Sequence, residues 1–454
     1  MKKSRHLNSS KHRSFRAVGG KQEAEKAPAA PAHAHLVRIE KPVYGGACLA
    51  RIAGKAVFVP LALPGEQARV HLVDEKRGFA TAEVEEILES SEQRIAAPCS
   101  HFSVCGGCQY QHANYTTQLA HKQAILRETL ERGGVNSPED IAVLAGEPWG
   151  YRNRIRLAID PAGSPGYRGR RSHVVIPIAE CPIAAPLLVR AAAVIGRILR
   201  SMPARFRARE VSLFCNAQET ELLASLTLVA GWRDSCEDFA REVAGQIPAL
   251  KGVEFLTVAG VGNAPRVVAH WGQASLVYRA AGFDYRVDQR AFFQVNRWLL
   301  DSLVERVTAH AKGSLAWDLF SGVGLFARKL ADRFARVVAV ESAPASIAAL
   351  KQNLQGTAAS AVRAATCEFM RKGGRGEQPA LIVVDPPRAG LGAETTALLS
   401  EVSAPEIVYV SCDPATLARD LRSLVRAGYV IDQTLLVDLF PQTFHLETVV
   451  RLRR

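Results

Sequence analysis

Nowhere in this 454-residue chain is there a run of about 18 apolar residues, so no segment reads as a membrane-spanning helix. The first residues lack the apolar h-region of a secretory signal. Without such a signal, nine cysteines, an odd number, point to a reducing cytosol. They are then metal ligands, catalytic thiols or core thiols. There is no internal repeat and no long acidic tract. Acid is the charge in short supply: 44 Asp and Glu face 57 Lys and Arg, a net charge of +13. An excess of that size calls for a polyanionic partner, nucleic acid first. What is present is ample: 48% hydrophobic residues can build large cores, and the length suits about three domains.

Residues 1–34 are basic, then rich in Ala and Pro. Lys2, Lys3, Arg5, Lys11, Arg13, Arg16 and Lys21 all precede the first acid, Glu23. Such a tail cannot bury a core and is expected to be disordered, an RNA-binding arm. His35 to Glu89 then alternates in short strand-like pieces at Leu36–Ile39, Ala47–Ile52, Ala56–Val59, Gln67–Val73 and Ala80–Ile87. Gly45, Gly46, Gly54, Gly65 and Gly78 punctuate them. Five short strands in so few residues predict a small OB-like barrel. Lys41, Arg51, Lys55, Lys76 and Arg77 would meet phosphates.

Cys99, Cys105 and Cys108 follow, with Gly106 and Gly107 between the last two, and Cys181 lies far downstream. Clustered thiols suit a soft metal, and four thiolates can hold zinc or an iron–sulfur cluster. Spacing alone does not choose between them. A helical pattern runs from Asn114 to about Arg132 and stops at Gly133 and Gly134. Mixed strands and helices are expected from Trp149 to Val287. Arg152, Arg154 and Arg156 alternate along one strand, joined by Arg168, Arg170 and Arg171, and read as a phosphate-facing surface.

The remainder changes character. Ser314 to Phe326 reads as a strand, a glycine turn at Gly322 and Gly324, and a helix. Arg336–Val340 is the next strand and ends in Glu341, placed to take ribose hydroxyls. Leu381–Val384 ends at Asp385-Pro386-Pro387-Arg388. Ile407–Val410 ends at Ser411-Cys412-Asp413-Pro414, after which a helix starts with Asp413 as cap and Pro414 in its first turn. Asp318, Gly322, Asp385 and Cys412 therefore gather at one edge of a sheet, where open α/β folds bind ligands. A helix N-terminus beside Cys412 is expected to lower its thiol pKa.

Residues 36–454 resemble a known family, the S-adenosylmethionine-dependent RNA uracil-5-methyltransferases. The segments that carry the resemblance are Phe292–Asn296, Asp318–Phe326, Asp385–Arg388, Ser411–Pro414 and Phe440–Glu447, in that order. Residues 40–66 resemble a TRAM domain, an RNA-binding module. The resemblance implies an α/β fold with three parts. A TRAM barrel would occupy 35–91 and a mixed α+β central RNA-binding domain 92–287, with its helix 114–132 free to pack on the catalytic part. A Rossmann-like methyltransferase domain would occupy 288–454. It puts the nucleophile on Cys412, the base on Glu447, and cofactor contacts on Gln294, Phe320, Gly322, Glu341 and Asp385. Cys99, Cys105, Cys108 and Cys181 match the [4Fe–4S] ligands of the family's ribosomal RNA members, so the implied partner is 23S ribosomal RNA, with no obligate protein partner evident. A tRNA substrate is the alternative, and a non-catalytic iron–sulfur ribosome-assembly factor is the rival outside enzymes. Leu325 stands where the family has an Asn, which implies altered contacts at the methionine end of the cofactor. The polar residue expected near Thr366–Glu368 does not align.

The chemistry agrees with the residue types. Uracil C5 is a poor nucleophile until a thiolate adds to C6; a base must then take the C5 proton. A cytosine-5 methyltransferase would carry its thiol in a Pro-Cys or Thr-Cys motif, and a radical methylthiotransferase would need C-x3-C-x2-C. Neither is present.

Overall fold

The computed structural model describes residues 34–136, 140–203, 206–229, 235–258 and 265–454. The basic arm expected over 1–34 lies, except for Ala34, outside them. Among the described residues no helix is long and apolar enough to cross a membrane.

Glycines at Gly45, Gly46, Gly54 and Gly65, all with positive φ, fold the first described segment back on itself. The result is a six-stranded sheet rather than five strands, the addition being the short Lys41–Pro42. His35–Arg38 pairs with Gln67–Glu75, and directly afterwards Glu40 N–H donates to Leu49 O (2.7 Å). The chain thus passes from one edge of the sheet to the other and closes a barrel. Val37, Ala50, Val57, Val59, Ala68, Val70 and Ala80 fill it. Of the basic residues expected to face phosphate, four sit beside acids: Lys41 by Glu128, Arg51 by Glu40, Lys55 by Glu75 and Lys76 by Asp74.

The central sheet has seven strands, in the order Val175–Pro177, Pro165–Arg168, Arg154–Ile159, Ala208–Cys215, Leu222–Leu228, Leu250–Thr257 and Arg266–Gly272. Helices Pro186–Ser201 and Cys236–Gln246 cover one face, burying Leu157, Leu213, Leu226 and Phe255.

The third sheet positions the site. Its order is Ala359–Arg363, Phe334–Glu341, Gly313–Leu319, Leu381–Val384, Glu406–Ser411, Glu447–Arg453, Val430–Val437 and Ala142–Leu144. Strands buried on both faces divide their residues by parity. Ala316, Val337, Ala339 and Val383 face the helices Leu300–Thr308, Leu325–Leu330 and Pro344–Asn353. Trp317, Val338, Val340 and Ile382 face Tyr115–Arg132, Gly392–Val402 and Pro414–Arg426. The chain builds outward from Gly313–Leu319 on one side, then returns to start again at Leu381–Val384 on the other. That reversal opens a crevice at the carboxyl ends of these two strands.

Three segments from before residue 288 join this layer. Helix Tyr115–Arg132, capped by the Asn114 side chain on Thr117 N–H, buries Ile125, Leu126 and Leu130 there. Ala142–Leu144 adds the edge strand, parallel to Val430–Val437. The hairpin of Ser275–Ala280 and Phe283–Asp288 packs Tyr278 and Tyr285 into the same core.

Candidate active site

Glu447–Arg453 runs antiparallel to its neighbour, with Ser411 opposite Thr448. Its first residue therefore lies at the edge where the parallel strands end. Extending the register by one position sets Glu447 across from Cys412. Asp385 follows Leu381–Val384, the next strand along. Thiol and two carboxyls from three strands thus meet at one rim. Asp413 accepts from Ala415 N–H and Thr416 N–H (3.1 and 2.9 Å), capping the helix that Pro414 opens.

The electrostatics reverse one expectation. The Cys412 thiol is not lowered but pushed up to about 11. Burial is the largest cause, followed by the facing Glu447 and Asp385, and the Arg388 guanidinium offsets only part of this. A half-turn of helix dipole does not outweigh two carboxyls in a partly dry cleft. Glu447, 3% exposed, is held well above the usual carboxylate range by burial and by Asp385. Asp385 is itself raised to about 7 by burial, against a hydrogen bond from Gln294 Nε2 (3.3 Å).

The glycine turn lies one strand away. Phe320 and Gly322 take positive φ (64° and 57°), as does Gly324 (92°), where a Cβ would stand 2.8 Å from Leu350 Cδ1. Around Gly322 the space is open. Glu341 accepts from Gly322 N–H (2.8 Å) and Ala343 N–H (2.6 Å), which ties the turn to the neighbouring strand end. Asp318 is fully buried; one oxygen accepts from Ala327 N–H (2.9 Å) and the other has no partner among the described residues. Burial, with Asp385 and Glu341 nearby, raises it to about 8. Three acids around an open glycine turn, one with an orphaned oxygen, fit a ligand that is both hydroxylated and cationic. A nucleoside sulfonium is such a ligand. Leu325 points elsewhere: it is 6% exposed and packs in the core of the sheet.

The four separated cysteines converge. Cys99, Cys105, Cys108 and Cys181 line one pocket with Tyr167 and Arg152. None of the nine cysteines of the chain is in a disulfide. Burial raises Cys105 and Cys108, and the sulfurs are near enough to add to it: Cys181 and Cys99 act on Cys105, and Cys181 and Cys105 on Cys108. Burial pushes Cys108 up to about 12. Among the described residues, no three His, Cys, Asp or Glu side chains are gathered into a metal-ion site as they stand.

The structure also shows contacts that the sequence did not reveal. Tyr44, in a turn of the barrel, donates to Asp413 Oδ2 (3.3 Å) and meets Phe444 edge-on (5.6 Å). Gln109 and Tyr110, just after Cys108, donate backbone N–H to Gln442 O (3.0 Å each). Barrel, cysteine loop and the segment preceding Glu447 therefore lock together. No local pattern could pair them, since Asp413 lies 369 residues from Tyr44. Of the basic run, Arg156 is exposed, whereas Arg152 and Arg154 bury guanidinium nitrogens.

A doubly wound sheet with a glycine turn, an acid closing the next strand and a thiol at the same rim is a Rossmann-like methyltransferase. Known proteins narrow the class. Residues 377–454 match the family model described as tRNA (Uracil-5-)-methyltransferase, and residues 35–84 match the TRAM domain. A relative from Chromohalobacter salexigens, the 23S rRNA (uracil(1939)-C(5))-methyltransferase RlmD, is 34% identical over 432 residues, spanning 92% of this chain and 88% of that one. An uncharacterized RNA methyltransferase of Streptomyces avermitilis is 33% identical over 445 residues, spanning 92% and 97%. The solved Pyrococcus abyssi tRNA (uracil-54, C5)-methyltransferase in complex with S-adenosyl-L-homocysteine has a TM-score of 0.74 at 24% identity, covering 92% of this chain and all of that one, a likeness of fold. The chain belongs to the family of S-adenosylmethionine-dependent RNA uracil-C5-methyltransferases.

Proposed function

We propose that the protein methylates C5 of a specific uridine in 23S ribosomal RNA, with Cys412 as nucleophile and Glu447 as base. The observation that carries this is the strand register that sets Glu447 opposite Cys412 beside the glycine turn. Similarity to relatives named for 23S rRNA, along nearly the whole chain, supports the substrate. In this reading the barrel (35–91) and the central region (92–287) hold RNA, and 288–454 carries the chemistry.

Cys412 adds to C6 as a thiolate, and C5 becomes enolate-like. S-adenosylmethionine, when bound at Gln294, Phe320, Gly322, Glu341 and Asp385, supplies a methyl group made electrophilic by its sulfonium. Once C5 has formed its bond to that methyl, Glu447 takes the C5 proton, and the C6–S bond breaks with its electrons returning to Cys412. The free site is poised against ionisation, since both Cys412 and Glu447 are raised. Positive charge brought against Asp385 and Asp318 favours the thiolate and the carboxylate together. The uridine must leave its stack to arrive, at a cost of a few kcal/mol that an unpaired loop reduces.

The same reading assigns a [4Fe–4S] cluster to Cys99, Cys105, Cys108 and Cys181. Four half-buried thiols in one pocket are costly as bare thiolates and well matched to a soft metal centre. The cluster would brace the loop whose Gln109 and Tyr110 amides hold the segment before Glu447. Protein purified without oxygen should be brown and carry iron; colourless protein with stoichiometric zinc would remove the iron assignment. The substrate is tested by mapping 5-methyluridine in ribosomal and transfer RNA from a deletion strain. Loss from 23S rRNA is expected, and loss from tRNA alone would contradict it.

A further inference from the structure

The central sheet has one face covered by helices and one left bare of helices, whose Phe214 and Leu223 pack into the core around Tyr278. On the bare face, Arg156, Ser212, Ser225 and Glu254 are cross-strand neighbours in a single row. The loop from Gln289 to Asn296 crosses the end of this face and turns it into a groove of about 1060 Å³, rimmed by Arg156, Arg168 and Arg209.

The groove floor is unusual in its bonding. Arg154 Nε and Nη2, Ser225 Oγ and Gln289 Oε1 on the lining, with Glu254 Oε2 beside Ser225 in the strand row, are all buried without a hydrogen-bond partner among the described residues. Glu254 Oε2 lies 3.3 Å from Arg290 Nε, but out of line for a hydrogen bond. Native folds leave few buried polar atoms unpaired, and several around one groove mark a place where something else supplies the partners. Arg154 is not loose. Its Nη1 donates to Ala291 O (2.7 Å) and its plane lies over Phe214 (4.1 Å), so its two unpaired N–H positions are fixed in direction.

We propose that this groove is a second nucleotide subsite, which takes an unpaired guanosine of the RNA substrate near the target uridine. The inference rests on the RNA-methylating reading above. A fork of guanidinium donors matches the adjacent O6 and N7 acceptors of guanine. The Glu254 carboxylate and the Gln289 carbonyl oxygen match its N1–H and N2–H donors. Adenine offers a donor beside its acceptor on the first edge, and uracil lacks the paired donors. The rim arginines take the flanking phosphates. The distance to the chemistry is short: Gln289 on the floor and Gln294, which donates to Asp385, belong to one loop. Phe292, 64% exposed on that loop, offers a stacking face between the two subsites. The groove would then select the sequence around the uridine, leaving the reacting site to select the uracil.

The test uses the full chain and single-stranded hexanucleotides of uridine carrying one central guanosine, inosine, adenosine or no replacement. Fluorescence anisotropy should show the guanosine strand bound about tenfold more tightly than the adenosine or all-uridine strands, the scale of one bidentate base contact. Inosine, which lacks the 2-amino group, should fall between. Glu254→Gln and Ser225→Val should each abolish the preference and leave all-uridine affinity within about twofold, as expected when base contacts are lost and phosphate contacts remain. Ser225→Val suits a strand, and thermal melts report whether either variant folds. Equal binding of all four strands by the wild-type protein would reduce the groove to a phosphate-holding face and overturn the proposal. So would a preference that survives in both variants. Methyl transfer by the wild-type protein to bulk RNA is followed separately. Its absence would sink the enzymatic reading, whatever the hexanucleotides show.

Discussion

At Cys412 two effects compete. The capped helix N-terminus favours a thiolate, while burial and two facing carboxyls favour the thiol, and the thiol wins in the free protein. In the proposed mechanism both Cys412 and Glu447 must lose protons before they act, and both are held above their ordinary values. Methyl transfer at subsaturating RNA should therefore rise from pH 6 to pH 9, and a rate that peaks near pH 6 would contradict the assignment. Asp318 gives a matching effect on stability. Its folded value near 8 lies above its ordinary 3.8, so the fold binds a proton that the unfolded chain has released. Stability then falls as pH rises between those values. Asp318→Asn keeps an acceptor for Ala327 N–H and removes the titration. Without the methyl donor, it should melt higher than wild type at pH 8, with little difference at pH 4. Calorimetry would also show weakened donor binding.

At the scale of elements, local patterns were legible and long-range pairings were not. The strand, cap and helix around Cys412 could be read from Ile407–Leu421, because β-rich residues, Asp413 and Pro414 act within a few positions. The structure places them as Glu406–Ser411 and Pro414–Arg426. The helix after Asn114 was legible for the same reason. The raised thiol was not, since its causes are burial and then carboxyls on other strands. Nor was the burial of Arg154, because alternation shows which residues share a face and not what covers it. The edge strand Ala142–Leu144 is too short to carry a pattern. Lys122 was silent too. It is fully buried in Tyr115–Arg132, paired with Asp438 Oδ1 (2.5 Å) and donating to Phe440 O (2.9 Å), so it fixes the segment leading to Glu447. Lys122→Met leaves the buried Asp438 carboxylate without its cation and accepting from the Tyr115 hydroxyl (2.9 Å). That should cost about 3–5 kcal/mol in denaturant melts. Gly324→Ala meets both a positive φ and Leu350, and should lose about 1–3 kcal/mol.

At the scale of the whole molecule, two sheets and the cysteine loop converge on one segment. The barrel reaches it through Tyr44, the cysteine loop through Gln109 and Tyr110, and the catalytic sheet through Glu447 itself. On the proposed reading, substrate-holding parts thus bear directly on the base. The charge of +13 makes RNA affinity fall steeply with salt. Removing residues 1–34 should weaken binding and flatten that dependence without stopping chemistry on saturating RNA. An unchanged slope in filter binding would show that the arm makes no phosphate contacts.

The central claim is the division of labour between Cys412 and Glu447, and trapping the covalent adduct tests it most directly. Each variant is incubated with RNA and S-adenosylmethionine labelled in its methyl group, then run on a denaturing gel. Cys412→Ala should give no adduct and no transfer. Glu447→Gln keeps the nucleophile and the shape of the base but cannot take the C5 proton. It should accumulate a protein–RNA adduct carrying the methyl label, releasing product about 10²–10⁴-fold more slowly than wild type. Wild-type turnover by Glu447→Gln, or a labelled adduct from Cys412→Ala, would contradict the account.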